Sequence, residues 1–222
     1  MTADVATVIA RVADVRRRVA AAGGDPDRVR IVAVTKGFGP EAVAAAQAAG
    51  LADAGENYAQ ELLGKAPEAP TGTRWHFLGP VQRNKVTRLA PVVSTWHGLD
   101  RPEAADAVAA AGPGSEVMVQ VNVIEDPSRP GCSPGDVADL VDHVRQLPLN
   151  LSGLMTVGPA QAGEASRTCF RWLARRAAEL GLRELSMGMS EDFELAVAEG
   201  ATTLRLGRAL FGARQVAKFG RR

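Results

Sequence analysis

The 222-residue sequence has few lysines and little excess of either charge. It contains 26 basic and 25 acidic side chains, which gives a formal net charge of +1, and only four of the 26 cations are lysines. This balance argues against a broad basic face that binds nucleic acid and against a polybasic membrane anchor. The hydrophobic content of 46 % excludes a disordered chain.

Cysteines and long apolar runs are also scarce. The two cysteines, Cys132 and Cys169, show no spacing typical of a disulfide framework, which favours a reducing compartment. Charged side chains interrupt the first 22 residues, so this segment lacks the continuous apolar core of a signal peptide. No apolar run approaches the roughly 20 residues that cross a bilayer. We therefore expect a cytoplasmic protein that does not span a membrane.

Short apolar runs alternate with amphipathic segments along the chain. The run at 31–34 lacks polar alternation, as expected of a parallel strand buried on both faces. Apolar residues at steps of three and four predict the helices. The predicted strands are 31–34, 51–54, 75–78, 92–97, 116–123, 151–157, 184–187 and 202–206. The predicted helices between them are 40–49, 58–64, 81–90, 101–111, 136–147, 164–180 and 190–199, with one further helix at each end of the chain.

This alternation predicts an α/β fold, a single TIM (β/α)₈ barrel with an extra N-terminal helix. Short loops and the lack of a linker predict one domain over residues 1–222. The alternative is an open, doubly wound sheet, which usually has a glycine-rich GxGxxG turn after its first strand. The segment 36–40 does not have this pattern, and the barrel is therefore favoured.

Lys36 is the first candidate for chemistry, because it follows the first predicted strand. Active groups of TIM barrels lie at the C-terminal ends of the strands. Partial desolvation there favours the neutral amine, which forms an imine with an aldehyde. The alternative is a strand-end lysine that simply reaches solvent. Among the other lysines, Lys65 falls in a predicted Gly/Pro-rich loop, Lys85 on a helix and Lys218 in the C-terminal tail.

Two further strand ends resemble anion sites. At 187–192, Gly188 permits a tight turn and Ser190 begins a predicted helix, whose first N–H groups can face a phosphate. At 205–208, Gly207 allows close backbone approach to a ligand. The alternatives are an ordinary Ser N-cap and, for Arg205, a structural ion pair with a glutamate such as Glu184 or Glu194. His76, His97, His143 and the cysteines have no metal-ligand spacing, so no metal site is predicted.

Together, several stretches resemble one family, the pyridoxal-phosphate-binding proteins also called pyridoxal phosphate homeostasis proteins. The matching stretches are 33–36, 55–61, 75–85, 153–155, 187–192 and 205–212. The resemblance implies a barrel like the N-terminal domain of alanine racemase (PLP fold type III), standing alone. It also implies the cofactor pyridoxal 5′-phosphate (PLP).

The resemblance assigns roles to individual residues. The lysine at position 36 is expected to form a Schiff base, an internal aldimine, with PLP. The turn 188–190 and the pair Gly207 and Arg208 are expected to hold the phosphate, Arg205 to face the pyridine nitrogen, and Asn57 to lie near the ring. The full set of expected cofactor residues is Lys36, Asn57, Met155, Met189, Ser190, Arg205, Gly207 and Arg208.

The resemblance also implies a function, PLP homeostasis or carriage inside the cell without strong catalytic activity. The chain lacks room for the second domain with which racemases supply a catalytic tyrosine, and Tyr58 is its only tyrosine. No catalytic residue is therefore predicted. The alternatives are a PLP-dependent racemase or lyase of low activity, and a Schiff-base aldolase without cofactor. Apo PLP-dependent enzymes are the expected recipients, and the barrel is expected to be a monomer.

Three departures from the family pattern affect the site. Arg208 stands where relatives often carry Thr or Ser, so a hydroxyl contact to phosphate is replaced by a cation. The segment 37–39 is less polar than in many relatives, which can change the loop that closes over the site. Near residues 128–131, a lysine-containing stretch of the family is replaced by Ser-Arg-Pro-Gly.

Overall fold

Eight parallel strands close into a barrel in the computed structural model, which describes residues 4–213. Each strand pairs with its neighbour in sequence, and the last pairs with the first, with Ile31 beside Leu204. The predicted (β/α)₈ barrel is thus confirmed, and the open sheet is excluded. The strands are β1 Arg30–Val34, β2 Asp53–Glu56, β3 Arg74–Phe77, β4 Val93–Leu99, β5 Glu116–Gln120, β6 Asn150–Met155, β7 Glu184–Ser186 and β8 Thr203–Leu206.

Helices alternate with the strands and surround them. Within residues 4–213 they are α1 Val5–Ala21, α2 Pro40–Ala48, α3 Ala59–Lys65, α4 Arg83–Leu89, α5 Pro102–Ala111, α6 Val137–Arg145, α7 Glu164–Glu179, α8 Phe193–Ala198 and α9 Arg208–Phe211. A short 3₁₀ turn, Ala66–Glu68, follows α3.

The extra N-terminal helix, α1, packs on the outside of the barrel against α2, α8 and α9. Its first turn is capped by Asp4, whose carboxylate accepts the backbone N–H of Thr7 at 3.0 Å. Arg18 fixes its far end through a 2.8 Å ion pair with Glu194 on α8. Its buried stripe consists of Val8, Val12, Val15 and Val19.

Alternate residues of the strands divide the core into two layers. Outward residues such as Trp96 and Leu204 join the helices in one hydrophobic cluster. The inward layer is markedly polar and includes His76, His97 and Arg205, all fully or almost fully buried. Because buried polar groups need hydrogen-bond partners, this layer must satisfy them across the barrel interior.

The strand boundaries differ from the prediction where polar residues are buried. The second strand spans Asp53–Glu56 instead of 51–54, since its polar ends find partners in other elements, Asp53 in Arg74 and Glu56 in Lys65. The fifth strand ends at Gln120, because the loop after it folds back and Cys132 takes up backbone hydrogen bonds at the strand end.

Candidate functional site

A cavity of about 400 Å³ lies at the C-terminal ends of the strands, the end at which active groups of TIM barrels lie. All eight residues expected at the cofactor line this one cavity: Lys36, Asn57, Met155, Met189, Ser190, Arg205, Gly207 and Arg208. They come from five different strand ends, so the closed barrel alone brings them together. Their assignment to a ligand stays a prediction.

Lys36 follows β1, and the backbone on both sides of it is held by side chains of β2 and α3. The hydroxyl of Thr35 donates to Glu56 Oε1 at 2.7 Å, and the carbonyl of Thr35 accepts from Lys65 Nζ at 2.9 Å. The N–H of Gly37 donates to Glu61 Oε2 at 2.7 Å. These contacts fix the point at which Lys36 leaves the strand.

Lys65 is the centre of this support and corrects the prediction that it lies in a loop. It is the last residue of α3 and is buried, 7 % exposed. Its ammonium donates to Glu56 Oε1 at 2.6 Å and to Glu61 Oε2 at 3.1 Å. Burial raises the pKa of Glu56 above its ordinary value, and the hydrogen bonds from Lys65 and Thr35 oppose this shift.

Arg205 projects from β8 into the barrel interior and is 5 % exposed. Its Nη1 donates to Ser186 Oγ and its Nη2 to the carbonyl of Thr156, both at 2.7 Å. Burial lowers the pKa of Arg205 to about 10, while attraction from Asp192 opposes the shift, so the guanidinium is charged at neutral pH.

The alternative reading of Arg205 as a structural ion pair with Glu184 or Glu194 is wrong. Glu194 binds Arg18 on α1, and Glu184 accepts the hydroxyl of Thr202 at 2.8 Å.

The turn between β7 and α8 approaches its neighbours closely. Gly188 has φ +89°, and a Cβ there would lie 2.6 Å from Cβ of Ala196, so only glycine fits. The N–H of Met189 donates to Asp192 Oδ1 at 2.6 Å. The residue that precedes α8 is Asp192 rather than Ser190, which corrects the expectation that Ser190 caps this helix.

Ser190 instead ties two turns of the cavity together. Its hydroxyl oxygen accepts the backbone N–H of Ala209 on α9, at 3.0 Å. The turn after β7 and the turn after β8, the two expected phosphate-binding turns, are therefore fixed relative to each other. Gly207 adds close packing, since a Cβ there would lie 3.2 Å from the carbonyl oxygen of Val34.

Arg208, the departure from the family pattern, forms a salt bridge at the cavity rim. Its Nη2 lies 2.8 Å from Glu191 Oε1, and the two side chains are 61 % and 58 % exposed. The cation at the rim is thus shared with a carboxylate that also lines the cavity.

We expect Arg208→Ala to change the free energy of unfolding by less than about 1 kcal/mol, because an exposed ion pair is screened by water and salt. Denaturant titrations at low and at high salt measure this change. A loss above 2 kcal/mol would show that the pair supports the fold of the mouth.

Asn57, Met155 and Met189 complete the expected set. Asn57 follows β2, and its carbonyl packs against Gly79, the residue two positions beyond the end of β3. Met155 ends β6 and is 1 % exposed, whereas Met189 is 36 % exposed at the opening. The cavity therefore has one methionine at its buried end and another at its opening.

Sequence reasoning missed part of the lining. Arg129 comes from the loop after β5, and its Nη1 donates to the carbonyl of Gly158, at 2.6 Å, which joins two loops of the mouth. The sequence signals are that both segments follow strands and that Arg129 lies in the stretch where the family has a lysine. Asp192 is a further missed residue, and burial raises its pKa. The unexpected lining residues are Val34, Leu78, Arg129, Val157, Gly158, Pro159, Ala160, Ala162, Glu191 and Asp192.

Other expectations concern features outside the cavity. In the part of the chain from residue 4 to 213, no cluster of three or more His, Cys, Asp or Glu residues has the arrangement of a metal site. Over the same residues, no helix has the length and apolar character needed to cross a membrane. Cys132 and Cys169 are both buried and unpaired with each other, and burial raises the pKa of the Cys132 thiol to about 12. Lys218 lies outside the described residues.

Comparison with known proteins identifies close relatives over the full barrel. The family model "Alanine racemase, N-terminal domain" matches residues 4–215. A pyridoxal phosphate homeostasis protein of Pseudomonas aeruginosa is 44 % identical over 220 residues, which cover 95 % of this chain and 94 % of the relative. One of Deinococcus radiodurans is 40 % identical over 210 residues, with 92 % and 99 % covered.

Solved structures give the same result. PipY of Synechococcus elongatus, in a structure with PLP bound, superposes with a TM-score of 0.82 at 32 % identity, covering 92 % of this chain and 100 % of PipY. Alanine racemase of Corynebacterium glutamicum is 16 % identical with a TM-score of 0.69, covering 97 % of this chain and 63 % of the racemase, which shows a shared fold only. This chain belongs to the family of pyridoxal phosphate homeostasis proteins, built on the barrel of the alanine racemase N-terminal domain.

Proposed function

We propose that this protein binds PLP in the cavity at the barrel mouth and takes part in intracellular PLP homeostasis, without strong catalytic activity. The observation that carries the proposal is the convergence of all eight expected residues on one cavity, with Lys36 and the buried cation Arg205 among them. The family membership supports it, since relatives are named for PLP homeostasis and PipY is solved with PLP bound.

The donor set suits an aldehyde that carries a phosphate. Lys36 supplies a primary amine, whose nitrogen forms a C=N bond with the aldehyde carbon while the aldehyde oxygen leaves as water. The turns at Ser190 and Gly207 lie side by side, as a phosphate cradle requires. Ser190 Oγ accepts from Ala209, so its own hydrogen is available to an anion. PLP when bound supplies an electrophilic aldehyde and an electron-withdrawing ring.

The charge of Arg205 favours a protein that holds PLP over an enzyme that uses PLP in catalysis. A guanidinium is always a donor and cannot accept a proton from a pyridine nitrogen. It therefore holds that nitrogen in its unprotonated form, which withdraws electrons weakly. Two-base racemisation also needs an acid on the opposite face of the ligand. Tyr58, the only tyrosine, is 62 % exposed and is not part of the cavity lining.

An absorbance spectrum of the protein with PLP tests the proposal directly. We expect a visible band from the imine, which borohydride converts to a stable covalent adduct on Lys36. Lys36→Ala is expected to lose both the band and the adduct, whereas Lys85→Ala, a control on the exposed face of α4, keeps them. A Lys36→Ala protein that still traps PLP covalently would overturn the assignment.

The alternatives are an enzyme of low activity and an aldolase without cofactor. Asp192 and Glu191 line the cavity and are the carboxylates that a second base would have to come from. Exchange of the amino-acid α-proton in deuterated water, at rates typical of an enzyme, would favour a racemase or lyase. Retro-aldol activity in protein that binds no PLP would favour the aldolase.

The carrier function includes release to other proteins. An amine of an apo PLP-dependent enzyme displaces Lys36 from the imine, so that the C=N bond moves to the recipient and the Lys36 amine is regenerated. We propose apo PLP-dependent enzymes as recipients and a monomeric barrel as the carrier. Reactivation of an apo enzyme by the loaded protein, faster than by the same amount of free PLP in the presence of a phosphatase, measures this transfer.

A further inference from the structure

A continuous hydrogen-bonded chain crosses the barrel interior from the cavity to the opposite end of the strands. Arg205 Nη1 meets Ser186 Oγ at 2.7 Å, and Ser186 Oγ meets His97 Nδ1 at 2.9 Å. His97 Nε2 meets His76 Nδ1 at 2.9 Å, and His76 Nε2 meets Asp53 Oδ1 at 2.8 Å. All five side chains are at most 6 % exposed.

The far end of this chain is a carboxylate held in its charged form. Arg74 donates to both oxygens of Asp53, with its Nε 2.8 Å from Oδ1 and its Nη2 2.6 Å from Oδ2. Burial alone would raise the pKa of Asp53, but the hydrogen bonds from His76 and Arg74 bring that pKa below its ordinary value. An ionised carboxylate only accepts hydrogen bonds, just as the guanidinium at the near end only donates them.

Ser186 sets the direction of every bond between these ends. Its oxygen accepts from Arg205, so its own hydrogen is directed to His97 Nδ1. His97 must then carry its hydrogen on Nε2 and donate to His76 Nδ1. His76 in turn carries its hydrogen on Nε2 and donates to Asp53.

The pKa of His97 supports this arrangement. Burial lowers it well below the ordinary value, and the positive charge of Arg205 acts in the same direction. His97 is therefore neutral and able to accept a hydrogen bond at Nδ1.

We propose that Ser186 and His97 are positioning residues for Arg205. In the hydrogen-bonded network from Arg205 to Asp53, both imidazoles are neutral, and every group donates its hydrogen bond in the direction of the Asp53 carboxylate. Each group accepts a hydrogen bond from the one nearer the cavity, so the network links the buried Arg205 to the carboxylate of Asp53 although, within residues 4–213, no carboxylate forms a salt bridge with Arg205. This inference rests on the proposed function only in the part that concerns PLP.

The protonation pattern can be tested on the protein freed of PLP. Histidine labelled with ¹⁵N distinguishes a ring protonated at Nε2, at Nδ1 or at both nitrogens. The variant His143→Gln removes the surface imidazole of α6, so that only the two buried rings contribute. We expect both rings to carry hydrogen at Nε2 alone. A ring protonated at Nδ1, or at both nitrogens, would overturn the proposal.

The positioning role is tested by Ser186→Ala, with Ser152→Ala as the matched control. Ser152 is on the neighbouring strand β6, where its hydroxyl donates to the carbonyl of Val117 at 3.3 Å, and it is not part of the cavity lining. We expect Ser186→Ala to weaken PLP binding roughly tenfold and to shift the visible band of the bound cofactor, because Arg205 loses one of its two acceptors. Ser152→Ala is expected to change neither.

The outcomes separate this inference from the proposed function. Unchanged PLP affinity and spectrum in Ser186→Ala would refute the positioning role while leaving PLP binding intact. If the unaltered protein binds no PLP, the proposed function fails, and the ¹⁵N experiment still decides the hydrogen-bond pattern. The same experiment decides it if Ser186→Ala does not fold.

Discussion

Replacing Lys65 with methionine is expected to lower the free energy of unfolding by about 3–5 kcal/mol. The substitution keeps the length of the side chain but leaves the carboxylate of Glu56 buried without its cation. Breaking one partner out of a buried ion pair typically has a cost of this size, because the remaining charge has no solvent to stabilise it. Urea titration of the cofactor-free protein measures the loss.

The pH dependence of Lys65→Met follows from the same carboxylate. Without the ammonium, the pKa of Glu56 in the folded protein is raised further by burial. A carboxyl whose folded pKa exceeds its unfolded pKa binds more protons when folded, so stability falls as pH rises between the two values. The unaltered protein already has a raised Glu56 pKa, so the deficit of the variant is expected to shrink as the pH falls from the folded pKa of Glu56 in the variant toward its folded pKa in the unaltered protein.

Two controls identify the ion pair as the cause. Lys85→Met removes an exposed ammonium from α4 and is expected to change stability by about 0.5 kcal/mol or less. Adding Glu56→Gln to Lys65→Met removes the uncompensated charge and is expected to restore part of the loss. A double variant as unstable as the sum of both single variants would show that the two side chains act independently.

The sequence predicts the barrel well because parallel strands leave a local signal. The predicted strand at 31–34 differs from Arg30–Val34 by a single residue, since both of its faces are apolar. β2 lacks this signal, because its polar ends are stabilised by Arg74 and Lys65, which lie on other elements. Local pattern cannot indicate partners that are brought together only when the barrel closes.

The candidate site shows the same contrast between residues that the local sequence places and contacts that form only in the closed barrel. Residues at or just after the C-terminal ends of strands share one end of a closed barrel, so the position of Lys36 and Arg205 along the chain is enough to place them at one cavity. His76 and His97 illustrate the opposite case. The sequence does not indicate that these two rings touch, because their contact with each other depends on which side chains meet inside the barrel.

Among substitutions that add one methyl group at the barrel mouth, Gly79→Ala is expected to destabilise the protein most. A Cβ on Gly79 would lie 2.0 Å from the backbone carbonyl oxygen of Asn57, so the backbone after β2 must shift. Overpacking of this kind costs about 1–3 kcal/mol, and the rigid contact places Gly79 at the upper end. The shift also displaces Asn57 from the cavity wall, and we therefore expect weaker PLP binding together with a lower melting temperature.

Gly64→Ala is the matched control, because the same methyl group meets open space. Among the described residues, no atom beyond the chain neighbours and the helix backbone lies within 4 Å of a Cβ on Gly64, which is an exposed residue of α3. Alanine is the better helix former by about 1 kcal/mol, so this variant is expected to be as stable as the unaltered protein or more stable. Opposite signs for the two substitutions, measured by thermal unfolding with and without PLP, would locate the damage at the contact with Asn57. Equal stability in both variants would mean that the mouth adjusts freely, and the close backbone approach would then not position Asn57.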